Sequence, residues 1–253
     1  MADKRKRILV PLDGSPLAEQ IISYVGELAR GLEAEVVLLH ICGPGEHQYR
    51  HMHGIYLEGV ASLLRRQLDG NRKTQTVLLQ GEDVPEEILR YSAAHQISFI
   101  ALSTRGRSGL GRSVLGSVSG MVLEASEVPV LLVKSSEEAK PPQELGKSFL
   151  VPLDGSRLGE AALATVEDLA PKLGREVCLL QVVPPAQGVV RVERHVVYPE
   201  QQLASQKAFA QDYLQGVENK LVTRGIKARS QVKIGLPADI IVDYATESNA
   251  GFI

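Results

Sequence analysis

Cysteine is scarce in this chain, long apolar runs are absent, and neither sign of charge dominates. Two cysteines in 253 residues are too few for the disulfide framework of a small secreted domain. They stand at Cys42 and Cys178, non-equivalent points of the repeat described below, and read as buried thiols of a protein in a reducing cytoplasm. No apolar run approaches the ~18 residues a membrane span needs, so no membrane association is expected. Met1 to Arg7 is polar and Ile8 to Leu12 is too short for the apolar core of a secretory leader, so none is expected. Lysine and arginine number 28 against 30 acidic residues, a net charge of −2. That balance creates no field drawing the protein to nucleic acid. The one basic run, Lys4-Arg5-Lys6-Arg7, reads as a solvated flank.

What the chain does have is a repeat. The heptapeptide LVPLDGS occurs at residues 9–15 and again at 150–156. Residues 8–41 align without gaps to 149–182, and counting identical pairs gives 17 in 34 positions. Further on, VPEEILRYSAAHQISFI (84–100) matches LPADIIVDYATESNAGFI (236–253) with a one-residue slip. The period is too long for a solenoid unit, so the chain is two copies of one module. Pro141-Pro142, within the polar stretch SSEEAKPPQELGK, mark a linker. The expected division is a first module at 1–137, a linker at 138–147 and a second module at 148–253.

Each module alternates strands with helices. Ile8–Leu12 is a short continuous apolar run, as expected of a strand buried on both faces of a parallel sheet. Ser15-Pro16 offers an N-cap and a proline at the first helical position. Ala18, Ile21, Ile22, Val25, Leu28, Ala29 and Leu32 then follow helical spacing, with Gly31 near the helix end. A strand at 35–41, a helix around Gly54 to Leu68, a strand at 76–79, a helix around Pro85 to His95 and a strand at 99–103 continue the order. A helix at Ser117 to Ala125 and a strand at 128–134 complete it. This pattern predicts an α/β fold: two Rossmann-like, doubly wound parallel-sheet modules in tandem, with ligands at the carboxyl ends of the strands. The second module stops at NAGFI, which matches the start of the fourth strand. It is therefore incomplete at its C-terminus, and truncation or disorder is expected beyond Ile253.

Asp13 follows the first strand and sits at the mouth of that crevice, Gly14 permits a tight turn, and Ser15 can cap the next helix. Residues 103–119, STRGRSGLGRSVLGSVS, also follow a strand and end on a helix. Glycines 106, 109, 111 and 116 let backbone approach an anion. Ser117 and Ser119 place hydroxyls and N–H groups on the first turn of a helix, where the dipole favours phosphate. Arg105, Arg107 and Arg112 supply positive charge. Three other motifs fail here. Ser117 stands where a Walker A loop requires lysine, Val114 where a dinucleotide fingerprint from Gly109 requires glycine, and Leu110 where a nucleophile elbow from Gly106 requires glycine.

LVPLDGS opening a strand–helix unit, STRGRSGL…LGSVS, and a terminal VPVLLVK together resemble the universal stress protein family in its tandem-domain form. The resemblance covers nearly the whole chain and implies the adenine-nucleotide-hydrolase-like variant of the doubly wound fold. The nucleotide-binding branch of that family carries G-x2-G-x9-G-[ST]. Gly106 and Gly116-Ser117 match it, while Ser103 holds the place of the first glycine and puts a side chain where backbone would approach the ligand. By resemblance, Asp13 binds ribose, and Pro11, Leu12 and the backbone around Ile41 hold adenine. Ser103, Arg105, Gly106, Arg107, Gly109, Gly116, Ser117, Val118 and Ser119 surround the phosphates. The implied ligand is ATP, with Mg2+, and the implied role is that of a cytoplasmic stress-response regulator. In that family the last strand pairs with its partner's, so module–module pairing within one chain, or a homodimer, is expected.

Catalysis is not expected. Phosphoryl transfer needs a metal-holding carboxylate, a base and cationic stabilisation, and no base or P-loop lysine is evident. His47 and His51 stand at i, i+4, a spacing that suits two metal ligands on a helix face, yet no further cluster in the sequence completes such a site. His53 lies nearby, and His40 has Gln181 as its counterpart. Met52, Tyr56 and Leu57 read as core or inter-module contacts.

Overall fold

The computed structural model describes residues 6–68, 73–104, 115–135, 146–185, 190–192, 195–197 and 199–253. The chain divides into two compact units, Met1–Gln143 and Glu144–Ile253. In the first, β1 (Arg7–Pro11), α1 (Pro16–Glu19), α2 (Ile21–Leu32), β2 (Glu35–Cys42), a 3-10 turn (His47–Tyr49), α3 (Arg50–Gln67) and β3 (Thr74–Gln80) follow one another. Then come α4 (Val84–Ala94), β4 (Phe99–Ser103), α5 (Ser117–Ala125) and β5 (Val130–Val133). The five strands form one sheet in the order β3-β2-β1-β4-β5, every pairing parallel. The chain winds outward from β1 to β3, then returns to place β4 on the other side of β1. That reversal opens a crevice at the carboxyl ends of β1 and β4.

The second unit contains β6 (Ser148–Pro152), α6 (Arg157–Lys172), β7 (Glu176–Val183), a small antiparallel pair β8 (Val190–Val192) and β9 (His195–Val197), and α7 (Pro199–Thr223). β10 (Ala228–Ile234), α8 (Pro237–Glu247) and β11 (Ala250–Phe252) follow. Its four-stranded parallel sheet has the order β10-β7-β6-β11, which repeats β3-β2-β1-β4. Even the register is the same: Pro11 pairs with Leu39 in the first unit and Pro152 with Leu180 in the second.

Burial explains why the strands read as apolar runs. Leu9, Val37, Leu39, Ile100 and Leu102 pack on one face with Ile88 and Tyr91 of α4 and Val122 of α5. Each fully buried aliphatic side chain contributes about 1.5–3 kcal/mol. Both cysteines are free and buried, as expected.

The elements depart from the sequence reading in their boundaries. The first helix breaks at Gln20 into α1 and α2, and Gly31 lies inside α2. The left-handed residue that ends α2 is Glu33 (φ 51°), whose N–H reaches back to Ala29, while the buried Ala34 anchors the turn. α3 starts at Arg50 and runs through Gly54. An interior glycine costs only about 1 kcal/mol, and the burial of Leu57, Val60, Ala61 and Leu64 carries the helix past it. Leu57 is core as expected; Met52, on the opposite face, is exposed.

Candidate functional site

A cavity of about 470 Å³ opens at the crevice between β1 and β4, within the size range of small-molecule sites. Its first wall is the turn after β1. The N–H of Leu12 donates to the Leu39 carbonyl (2.8 Å), which pins the strand end to β2. The chain then turns through Gly14, whose φ of 83° is left-handed and favours glycine. The N–H of Ser15 donates to Asp13 Oδ1 at 2.9 Å, and Ser15 Oγ accepts the Ala18 N–H at 3.1 Å, capping α1. Asp13 is thereby held at the cavity edge as a positioned carboxylate.

The opposite wall is the start of α5. Its N-cap is Gly116, which has no side chain to satisfy the first-turn N–H groups of the helix. The Gly116 N–H donates to the Thr104 carbonyl (2.8 Å), and the Thr104 N–H to Val133 (2.8 Å), tying this start to the ends of β4 and β5. The buried hydroxyl of Ser119 donates to the Ser103 carbonyl at 2.8 Å. Ser103 in turn donates its own hydroxyl to the Ala18 carbonyl at 3.1 Å. The side chain that replaces the expected glycine is therefore engaged with the backbone of α1. The floor between the walls is apolar: Leu39, Ile41, Val84, Ile88 and Leu102.

Of the residues singled out in the sequence, Pro11, Leu12, Asp13, Ile41, Ser103, Gly116, Ser117, Val118 and Ser119 all line this one cavity. Arg105, Gly106, Arg107 and Gly109 lie outside the described residues. The second LVPLDGS keeps the local geometry: the Ser156 N–H donates to Asp154 Oδ1 (2.8 Å), Gly155 has φ 83°, and Ser156 accepts the Gly159 N–H (3.0 Å). The hydrogen bonds from Ser156 hold the exposed Asp154 carboxyl below its ordinary range.

The sequence reading missed one constellation. His40, Cys42, Glu46 and His53 each bring a donor atom within 4.8 Å of the others. His47 and His51 are not part of it; both line an open groove with Arg50, Glu58 and Thr76. The signal in the sequence was His40-x-Cys42 on a strand, since alternate strand residues share a face.

Taken together, fold and site define a doubly wound parallel α/β protein with duplicated modules and its cavity at the topological switch point of the first. The sequence profile of the Universal stress protein family matches residues 4–134 and 146–253. The chain belongs to that family. Two universal stress proteins of Methanocaldococcus jannaschii are similar to it: one is 26% identical over 145 residues, covering 53% of this chain and 84% of that protein. The other is 29% identical over 154 residues, covering 51% and 94%. A solved universal stress protein of Archaeoglobus fulgidus shares the fold, with a TM-score of 0.70 at 22% identity, over 98% of this chain and 85% of that one. No helix among the described residues is long and apolar enough to cross a membrane.

Proposed function

We propose that the chain is a cytoplasmic, nucleotide-binding regulator of the stress response that holds ATP, accompanied by Mg2+, in its first module (1–137). The second module (148–253), beyond the linker at 138–147, repeats the turn at Asp154, and we assign the nucleotide to the first. One observation carries the reading: Asp13 and the first turn of α5 oppose each other across a cavity whose floor is apolar. A flat base suits that floor against Ile41 and Leu12, ribose hydroxyls suit a fixed carboxylate, and phosphates suit first-turn N–H groups that Gly116 leaves uncapped. Mg2+, when present, neutralises phosphate charge. In this reading Asp13, the first turn of α5 and the apolar floor bind and orient the ligand.

The test is to extract and identify nucleotide from purified protein and to titrate ATP by calorimetry. Stoichiometric ATP binding without rapid turnover is expected. Absence of binding with added ATP overturns the reading in favour of a scaffold, and turnover near ~1 s⁻¹ or above overturns it in favour of an enzyme.

A further inference from the structure

We infer that His40, Cys42, Glu46 and His53 form a binding site for a divalent zinc-class cation, one that takes the ion whether or not a nucleotide is bound. Their four donor atoms come from three consecutive elements and lie within 4.8 Å of one another. Tetrahedral zinc with bonds of about 2.0–2.3 Å requires ligand atoms about 3.3–3.8 Å apart. Closing on an ion therefore takes a movement of about an ångström.

The fold prepares each donor. His40 and Cys42 alternate along β2, so both project to the same side of the sheet, toward α3. The partner of His40 Nδ1, at 2.7 Å, is the Leu12 carbonyl, which can only accept. Nδ1 therefore carries the proton, and the lone pair of the neutral ring is on Nε2. A backbone carbonyl fixing the far nitrogen is the usual support of a metal-ligating histidine. His53, on the first turns of α3, stacks its ring on His40 with centroids 4.3 Å apart. Its buried Nε2 finds no hydrogen-bond partner among the described residues. Glu46 is oriented by the Gly43 N–H, which donates to Oε2 at 2.9 Å. His40 and Cys42 are 2% and 3% exposed, so the ion would leave water for a largely dry wall.

Chemistry selects the ion. Two imidazoles, one thiolate and one carboxylate are a borderline-soft set that suits zinc over calcium or magnesium, which take oxygen alone. A divalent cation with one thiolate and one carboxylate is neutral as a unit, the arrangement that burial tolerates best. Binding releases the Cys42 proton to solvent. His40 and Glu46 also line the 470 Å³ cavity, which supplies the entry path.

Co2+ replaces Zn2+ as a visible probe. Titrating the full chain with Co2+ should saturate at one ion, with the visible bands of four-coordinate cobalt, a thiolate charge-transfer band, and displacement of both by Zn2+. Cys42→Ser should remove the charge-transfer band, and His53→Ala should weaken Zn2+ binding at least about tenfold. His51→Ala, two residues away but outside the cluster, should bind as wild type. Failure of the wild-type chain to bind one equivalent overturns the proposal. So does a charge-transfer band surviving in Cys42→Ser, or wild-type Zn2+ affinity in His53→Ala. Should Cys42→Ser not fold, the half-buried His53→Ala, checked by its metal-free melting curve, decides the matter.

Discussion

The hydroxyl of Ser119 donates to the main-chain carbonyl of Ser103 at 2.8 Å, joining the first turn of α5 to the last residue of β4. The two residues are 16 apart in the chain. A single serine thus sets where the helix begins relative to the strand, and with it where its N–H groups point. Both residues are buried, so the bond is shielded from competing water.

Ser119→Ala leaves that carbonyl without its donor. A buried group stripped of its partner costs about 1–3 kcal/mol. The melting temperature should fall accordingly, measured by circular dichroism, and ATP affinity should fall with it because the α5 turn loses its anchor.

Asp13 and Asp154 occupy the same turn of the two modules, and each accepts the N–H two residues on. Alanine at either position should lower stability by a similar amount. Only Asp13→Ala should also lower ATP affinity, by about ten- to hundredfold if a charge-assisted contact worth about 1.5–3 kcal/mol is lost. Calorimetric titration of the two variants side by side gives the comparison. Equal loss in both would place the nucleotide elsewhere.

Gly155 has φ 83°, and a Cβ added there would meet nothing within 4 Å. Gly155→Ala should therefore carry a purely conformational penalty, about 1–2 kcal/mol for holding an L-residue left-handed. Chemical denaturation should show a lower midpoint with an unchanged slope.

Burial, with the hydrogen bond to Glu160 Oε1 at 2.9 Å, pushes the Tyr213 phenol up to about 12. Burial raises Tyr24 and Tyr244 as well. A phenol that keeps its proton longer when folded contributes stability in full below pH ~10, where the unfolded group is still neutral. That contribution fades as pH rises through ~10 toward 12. The unfolding midpoint should drop across this window, and Tyr213→Phe should flatten the drop.

The fold was legible because its signals are local and repeated: apolar runs for β1, β2 and β4, the Ser15-Pro16 helix start, and a second copy of each. Boundaries were less so. α3 begins four residues before Gly54, because helix propagation through exposed polar residues depends on the packed face beyond them and not on their own preferences. Asp13 and Ser117 to Ser119 could be paired from sequence since both follow strands, and such ends meet at a switch point. The His40, Cys42, Glu46 and His53 group could not, as it joins a strand, a turn and a helix. His47 and His51 show a helical i, i+4 spacing, whereas the four donors converge through a strand and a ring stack.

Gly14 and Gly155 sit in identical heptapeptides, with the same φ of 83° and the same strand register beside them. His40 bonds to the Leu12 carbonyl of the first copy, and the equivalent strand position in the second module is Gln181. In a nuclear magnetic resonance spectrum the two glycine amides are thus a matched pair of reporters, one beside the cavity and one serving as its blank. A small change of temperature within the folded range should move both signals together. A nucleotide or a metal ion should move the first and leave the second still, so the protein carries its own baseline.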